Sequence, residues 1–387
     1  MSYADIIKKK QKEWNCPNLM NAVYEVKGAK IPFSSPSMNW FTYGGIPRDR
    51  ITEFYGPEGS GKTTTALDIA RNAAELFKRE YEEKLAALQE KLASGDKTAQ
   101  SDIDELTSNG PKKVLYIDIE NAFDVYWGSI LGLEFKEDYS TIDVMQPPTV
   151  VAESLLQTTR EIIETGEVGL IIYDSIPALT PQKQLEKKIG EATVAALAGV
   201  MTNFMILINP MLARYHCTII LINQCRDNLV NAYVKNTPGG KAIKFFSSLR
   251  LEFRKGSFVD FLGNELPNKI EDPAGCKIEA TLIKQKTAPN DRRLGSYFLM
   301  TQSGIRADFD YAQLALTTYN LIHKSGGWYS FIVPDTGEVL TSTDGKEVKV
   351  NGLAKVYEYL NGNPEYYNQL KAYVDADIKG DNNGETD

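Results

Sequence analysis

The run Gly56-Pro57-Glu58-Gly59-Ser60-Gly61-Lys62-Thr63-Thr64 constrains this chain more than any other stretch. It fits G-x-x-x-x-G-K-[ST] at every fixed position, and a strand-like run, Ile51-Thr52-Glu53-Phe54-Tyr55, precedes it. Such glycines let the backbone turn its N–H groups inward around an anion, and a helix opening at Thr63 directs its positive end to the same place. The alanine-rich segment 66–74 supplies that helix. In a loop of this kind Lys62 reaches the β and γ phosphates of a nucleotide, and the Thr63 hydroxyl ligates magnesium.

A chain of 387 residues has room for one large domain and a smaller one. No N-terminal apolar run of signal-peptide type is present, and no apolar segment reads as long enough to span a bilayer. A soluble cytoplasmic protein without membrane contact is therefore expected. The four cysteines, Cys16, Cys217, Cys225 and Cys276, lack CxxC spacing and read as reduced, mostly buried thiols, not as a zinc site or a disulfide framework. The net charge of −8 argues against a nonspecific nucleic-acid coat, yet the charge is unevenly spread. Between residues 226 and 256, Arg226, Lys235, Lys241, Lys244, Arg250, Arg254 and Lys255 stand against only Asp227 and Glu252. The segment 375–387 has the opposite bias, with five acids and one lysine, and such a tail can compete with a polyanion for the basic patch.

Taken in order, residues 3–14 read as a short charged helix whose Ile6, Ile7, Lys8, Lys9 and Lys10 either dock on a neighbouring subunit or fray. Past the phosphate loop, Leu85, Leu88 and Leu92 keep helical spacing among charged residues until Ser94-Gly95, and a second polar stretch returns to Pro111. This predicts an inserted helical hairpin, solvated on its outer face. Val114-Leu115-Tyr116-Ile117-Asp118 is the next strand, followed at once by Ile119-Glu120-Asn121-Ala122-Phe123-Asp124. Val144-Met145 and Pro147-Pro148 mark another strand and turn, and 150–164 has a helical pattern. An apolar run from Val168 ends in Asp174-Ser175, the form of a Walker B element in which a buried strand delivers a carboxylate to magnesium. A further run from Cys217 ends in Asn223-Gln224-Cys225-Arg226. Alternating β and α segments with polar residues at the strand ends predict a mostly parallel sheet, helices on both faces and a ligand along the carboxyl edge.

These motifs, in this order and spacing, together with Tyr173-Asp174-Ser175-Ile176-Pro177-Ala178-Leu179-Thr180-Pro181, Pro238-Gly239-Gly240-Lys241-Ala242-Ile243-Lys244-Phe245-Phe246 and Leu282-Ile283-Lys284-Gln285-Lys286, resemble the RecA family of DNA strand-exchange recombinases, in its bacterial and phage branch. The resemblance runs from about residue 31 to about residue 373. It implies a RecA-like P-loop NTPase core at 31–303 with the helical insertion at about 78–112, an N-terminal arm at 1–30 for oligomerisation, a small α+β C-terminal domain at 304–374 that captures duplex, and an acidic tail at 375–387. It also implies roles. Glu120 matches the carboxylate that orients and deprotonates the attacking water, Asp174 the metal-side aspartate, and Gln224 the glutamine that senses the γ phosphate. Asp124 with Tyr126 or Trp127 falls where the family holds adenine. Lys284 and Lys286 match a lysine pair that reaches across a filament interface to the neighbour's ATP.

Two loops are implied to contact DNA, one at 189–194 and one at 227–240, with Val194 and Tyr233 as wedges between bases and Arg226, Lys235, Gly239, Gly240, Lys241 and Lys244 on phosphates. Two departures stand out: Gly199 replaces a basic residue, and Thr237-Pro238 replaces threonines before the glycine pair. The implied activity is DNA-stimulated hydrolysis of ATP with magnesium, by a helical filament of identical subunits on single-stranded DNA that pairs with homologous duplex. Mediator and single-strand-binding proteins are the implied accessory partners. A ring-forming helicase on the same core, or a non-enzymatic DNA-binding filament protein, are the alternative readings.

Overall fold

The computed structural model describes residues 29–137, 140–147, 151–186, 196–225, 237–267 and 269–379, together with Asp5 and Lys9. The rest of the expected helix at 3–14, the first DNA loop at 189–194 and residues 380–387 of the tail lie outside the described residues. Strands β1 (Lys30–Ile31) and β2 (Ile46–Pro47) pair around helix α1 (Pro36–Thr42). Then follow β3 (Ile51–Gly56), α2 (Lys62–Ala93), α3 (Ala99–Asn109), β4 (Lys113–Asp118), α4 (Val125–Ile130), β5 (Asp143–Met145), α5 (Ala152–Glu164) and β6 (Val168–Asp174). The short α6 (Gln182–Leu185) precedes α7 (Ala196–Tyr215), β7 (Thr218–Gln224), α8 (Lys241–Phe246), β8 (Leu249–Val259) and β9 (Glu265–Leu266). Next are β10 (Gly275–Gln285), β11 (Leu294–Met300), β12 (Gly304–Ile305), α9 (Ala307–Thr317), β13 (Ile322–Ser325), β14 (Trp328–Phe331) and β15 (Lys349–Asn351). Helices α10 (Leu353–Gly362) and α11 (Pro364–Lys379) complete the described chain.

The main sheet runs β12-β11-β10-β8-β3-β7-β6-β4-β5, with β9 paired to β8. Strands β8, β3, β7, β6, β4 and β5 are mutually parallel. The antiparallel β10, β11 and β12 extend the sheet beyond β8, a wing that the βα alternation in the sequence did not suggest. Every residue of β3 and β6 is buried, because helices cover both faces. Side chains alternate between two cores. Leu170, Ile172, Ile220 and Ile222 pack with Ala66, Ile69 and Ala70 of α2 on one face. Ile171, Tyr173, Ile219 and Leu221 pack with Met201, Phe204, Met205 and Ile208 of α7 on the other.

Helix α2 is 32 residues long, about 48 Å at 1.5 Å per residue. It begins at Lys62, one residue before the expected start, and buries its first half as far as Phe77. Beyond that only Leu88 is buried on this helix, where the polar extension pairs with α3.

Helix α7 corrects one expectation. Over Ala196–Tyr215 it is long and apolar enough to cross a membrane by length and composition. Its apolar character comes from burying Met201, Phe204, Met205, Ile208 and Leu212 on the sheet, while Ile206 and Leu207 on the remaining surface are also apolar and exposed.

From α9 onward a third core gathers Phe298, Phe309, Leu314, Phe331, Tyr357, Tyr366 and Leu370. A buried polar contact pins it to the rest of the chain, and two more tie it together. Ser35, which caps α1 by accepting from the Met38 N–H at 3.1 Å, donates to the buried Asp310 of α9. The Tyr311 hydroxyl donates to Asp375 at 2.6 Å, and that of Tyr319 to Asp377 at 2.7 Å, so the acidic segment begins on a helix held by tyrosines.

Cys217 is fully buried, and burial pushes its thiol up to about 12, whereas Cys225 and Cys276 are partly exposed. Iodoacetamide applied to the native protein at mildly alkaline pH should leave Cys217 unmodified until the chain is unfolded, because the thiolate is the nucleophile. Peptide mass spectrometry before and after denaturation reads this, and labelling of Cys217 in the native protein would contradict its placement.

Candidate active site and its flanking elements

The ends of β3, β7, β6 and β4 fall within two residues of one another, and this alignment assembles the site. Gly56 at the end of β3 pairs in register with Gln224 at the end of β7, and Asp118 of β4 with Asp174 of β6. The chain then leaves β3 through the loop 56–64. Gly59 and Gly61 have φ of 66° and 84°, and a Cβ on Gly56 would lie 2.2 Å from the Phe253 carbonyl oxygen. Only glycine meets these conditions. The Lys62 ammonium lies inside the loop, donating to the Gly56 and Pro57 carbonyls at 3.1 and 2.6 Å and to the Ser60 hydroxyl at 3.3 Å. Burial lowers its pKa, and Asp174 opposes that shift.

Thr63 and Asp174 meet: the threonine hydroxyl donates to the carboxylate at 2.7 Å. The same carboxylate oxygen accepts from the Tyr116 hydroxyl at 2.6 Å. Burial raises the Asp174 pKa, and these two donors oppose the rise. Burial, and then Asp174 itself, holds the Tyr116 hydroxyl far above its usual range, so it remains a donor. Glu120 lies in the turn after β4, where its carboxylate accepts from the Ser175 hydroxyl just beyond β6. Asp118 has a different task. Its carboxylate accepts from the Ala122 and Phe123 N–H groups at 3.2 and 2.8 Å and from the Gln146 amide at 2.8 Å, shaping the turn that presents Glu120.

These donors suit a nucleotide with a hard cation. A hydroxyl and a carboxylate in contact are oxygen ligands of the type magnesium takes, and magnesium completes its shell with phosphate oxygens and water. The glycine loop, Lys62 and the start of α2 offer positive charge and backbone N–H groups to the phosphates.

The remaining expected residues divide into three groups. Asp124 caps α4, accepting from the Tyr126 and Trp127 N–H groups at 2.8 and 3.2 Å. The Trp127 indole N–H reaches the Thr64 hydroxyl at 3.3 Å beside the phosphate loop, while Tyr126 is 75% exposed. Gln224 sits at the carboxyl edge. Lys284 and Lys286 do not join this group. Gln285 between them is opposite Leu249, which is opposite Thr52, so the pair lies near the amino end of the parallel strands. Four residues along β3 separate that level from Gly56, about 13 Å. Both ammonium groups instead cap α8: Lys284 donates to the Lys244 and Phe245 carbonyls at 2.5 and 2.9 Å, and Lys286 to the Phe245 carbonyl at 3.0 Å. Of the expected DNA contacts, Gly239 and Gly240 lead into α8, which carries Lys241 and Lys244. Val194, Arg226, Tyr233 and Lys235 lie outside the described residues.

The sequence assigned no task to Tyr116, Gln146, Glu53 or Asn223, and it placed Arg250 in the basic patch, whereas Arg250 is buried and paired with Glu53. Tyr116 reads as one apolar residue among five in its strand. Its one sequence signal was placement two residues before Asp118, which puts both on the same face of β4.

Comparison with known proteins agrees with this geometry. The family model of the RecA N-terminal domain matches residues 91–306. The chain is 29% identical over 335 residues to Protein RecA of Thermus aquaticus, covering 86% of this chain and 80% of that one. It is 31% identical over 317 residues to Protein RecA of Borrelia hermsii (strain HS1 / DAH), covering 81% of this chain and 74% of that one. A matched family model over more than half of the chain, and relatives aligned over most of both lengths, agree with the strand ends and the phosphate loop: the chain belongs to the RecA family.

Proposed function

We propose that this protein is an ATP-dependent recombinase that polymerises on single-stranded DNA, pairs it with homologous duplex and hydrolyses ATP with magnesium to reset the filament. The observation that carries the reading is the meeting of Thr63 and Asp174 at 2.7 Å beside Glu120 and Ser175, on a sheet edge that the phosphate loop also faces. In this reading Gly56, Pro57, Glu58, Gly59, Ser60, Gly61, Lys62, Thr63 and Thr64 hold the triphosphate, with Asp124, Tyr126 and Trp127 at the base. Thr63 and Asp174 hold magnesium, which when bound neutralises charge that develops on the phosphoryl oxygens. Glu120 orients the attacking water and takes its proton, and Ser175 fixes the carboxylate for that task. Gln224 reads the terminal phosphate through its amide. Residues 1–30 serve as an oligomerisation arm, 31–303 as the ATPase core, 304–374 as a duplex-capturing lobe and 375–387 as an acidic tail.

The position of Lys284 and Lys286 supports assembly. They stand at the edge opposite their own phosphate loop and cap a helix end with charges that a neighbouring protomer's phosphates would attract more strongly than neutral carbonyls do. A filament that stacks one protomer's amino edge on the next one's carboxyl edge brings them to ATP.

Three measurements test this reading. Glu120→Gln should lower DNA-stimulated turnover by about 10²- to 10⁴-fold while electron micrographs still show ATP-dependent filaments, and unchanged phosphate release would remove its role. Lys284→Ala with Lys286→Ala should lower cooperative ATPase by about tenfold or more and leave ATP affinity of dilute protomers intact; equal loss of both would argue against action across an interface. If Lys241 and Lys244 each neutralise one phosphate, replacing both with alanine should flatten the slope of log affinity against log salt by about 1.4 on single-stranded DNA. An unchanged slope would remove them from the interface. Closed rings in place of filaments would favour a helicase-type motor.

A further inference from the structure

Below the Gln224 end of β7 lies a buried polar group that the proposed chemistry does not use. Asn223 is fully buried, and its side-chain amide is saturated. The NH₂ group donates to Glu53 Oε1 at 3.0 Å and to the Pro238 carbonyl at 3.0 Å, while the amide oxygen accepts the Gln224 N–H at 3.0 Å. Two acceptors face the nitrogen and one N–H faces the oxygen, so only this orientation of the amide fits. Glu53, also fully buried, is fixed in turn by the Arg250 guanidinium, which stacks over the Tyr55 ring at 5.0 Å.

A fold has no need of such a group at the centre of a sheet. A buried ion pair is seldom more stable than apolar side chains of the same volume, so its presence between β3, β7 and β8 calls for another account. What this one accomplishes is to orient a single amide that bonds two functionally distinct pieces of chain at once. One is the backbone of Gln224, whose neighbour Cys225 also donates its N–H to the Gly56 carbonyl of the phosphate loop at 3.3 Å. The other is Pro238, which opens Gly239-Gly240 and α8 with Lys241 and Lys244.

We infer that Asn223 is a positioning residue that couples the nucleotide-sensing end of β7 to the DNA-contacting run from Pro238 to Lys244, so that the effect of ATP on DNA affinity passes through its amide. The inference rests on the functional reading above and adds a route to it. A shift of the Gln224 backbone moves the oxygen of Asn223 and turns the planar amide about its bond to Glu53, and the second N–H then draws the Pro238 carbonyl with it. Asn223 touches neither phosphate nor DNA, and its loss acts on the coupling between the two.

The test compares the full chain with Asn223→Ala and Asn223→Asp, measuring affinity for a fluorescent ATP analogue and for oligothymidylate with and without a non-hydrolysable ATP analogue. Asn223→Asp keeps the shape and the acceptor for the Gln224 N–H but sets a second carboxyl against Glu53, and the one proton such a buried pair retains lies between the two carboxyls, leaving Pro238 without a donor. Both variants should bind nucleotide within about twofold of the parent, while the gain in DNA affinity brought by nucleotide falls by about tenfold, the scale of one buried hydrogen bond. Retained coupling in Asn223→Asp would show that donation to Pro238 is not needed and would overturn the inference. Loss of nucleotide affinity in parallel with DNA coupling in both variants would make Asn223 a merely structural residue and overturn it equally. Absence of any nucleotide effect on DNA binding in the unaltered chain would instead count against the functional reading itself.

Discussion

Everything in this molecule depends on a parallel sheet that is covered on both faces. The central strands β3, β7, β6 and β4, packed between α2 on one side and α7 on the other, exclude water from almost all of their length except the ends. Polar side chains therefore become accessible where the strands stop, and β3, β7, β6 and β4 stop within two residues of one another. The phosphate loop, the Thr63 and Asp174 oxygens and the Glu120 carboxylate share one edge for that reason, since each stands at or just beyond the end of a buried strand.

The charges kept below that edge show how the low-dielectric interior is managed. Asp174 is mostly buried and would favour its neutral form, yet Thr63 and Tyr116 both aim hydroxyl donors at one of its oxygens. Asp118 is satisfied by the turn it shapes, and Glu53 by Arg250 and Asn223. Each of these carboxylates thus has its own donors, and for Asp174 and Glu53 they include side chains of neighbouring strands. The polar interior cross-links the sheet laterally, in addition to the backbone ladder.

The two edges of the sheet also differ in kind. The carboxyl edge gathers groups of the kind that suit anions and a hard cation, whereas the amino edge near β8 and β10 presents two lysines that donate to carbonyl oxygens of α8. Complementary edges on one subunit are what a head-to-tail polymer requires, because a heterologous contact repeats without closing unless its rotation brings it back on itself.

Much of this was legible in the chain itself. The loop 56–64, the strands ending in Asp118, Asp174 and Gln224, and the helical extension after Phe77 follow from local spacing, because glycine tolerance, strand burial and helical periodicity are properties of neighbouring residues. The antiparallel wing was less legible although its strands pair with near neighbours in sequence, since charged residues on an exposed face of β8 and β10 interrupt the apolar pattern. The apolar helix Ala196–Tyr215 misled on length because composition does not say which surface covers it. What the amino-acid order determined by itself was the set of groups available to a nucleotide and the strands that would carry them. Only the tertiary structure decided that Tyr116 would serve Asp174, that Asn223 would hold Pro238 and Gln224 together, and that Lys284 and Lys286 would cap α8 at the end of the sheet away from the phosphate loop. Those outcomes depend on strand order and register, which are set by packing across the whole sheet and are absent from any local window.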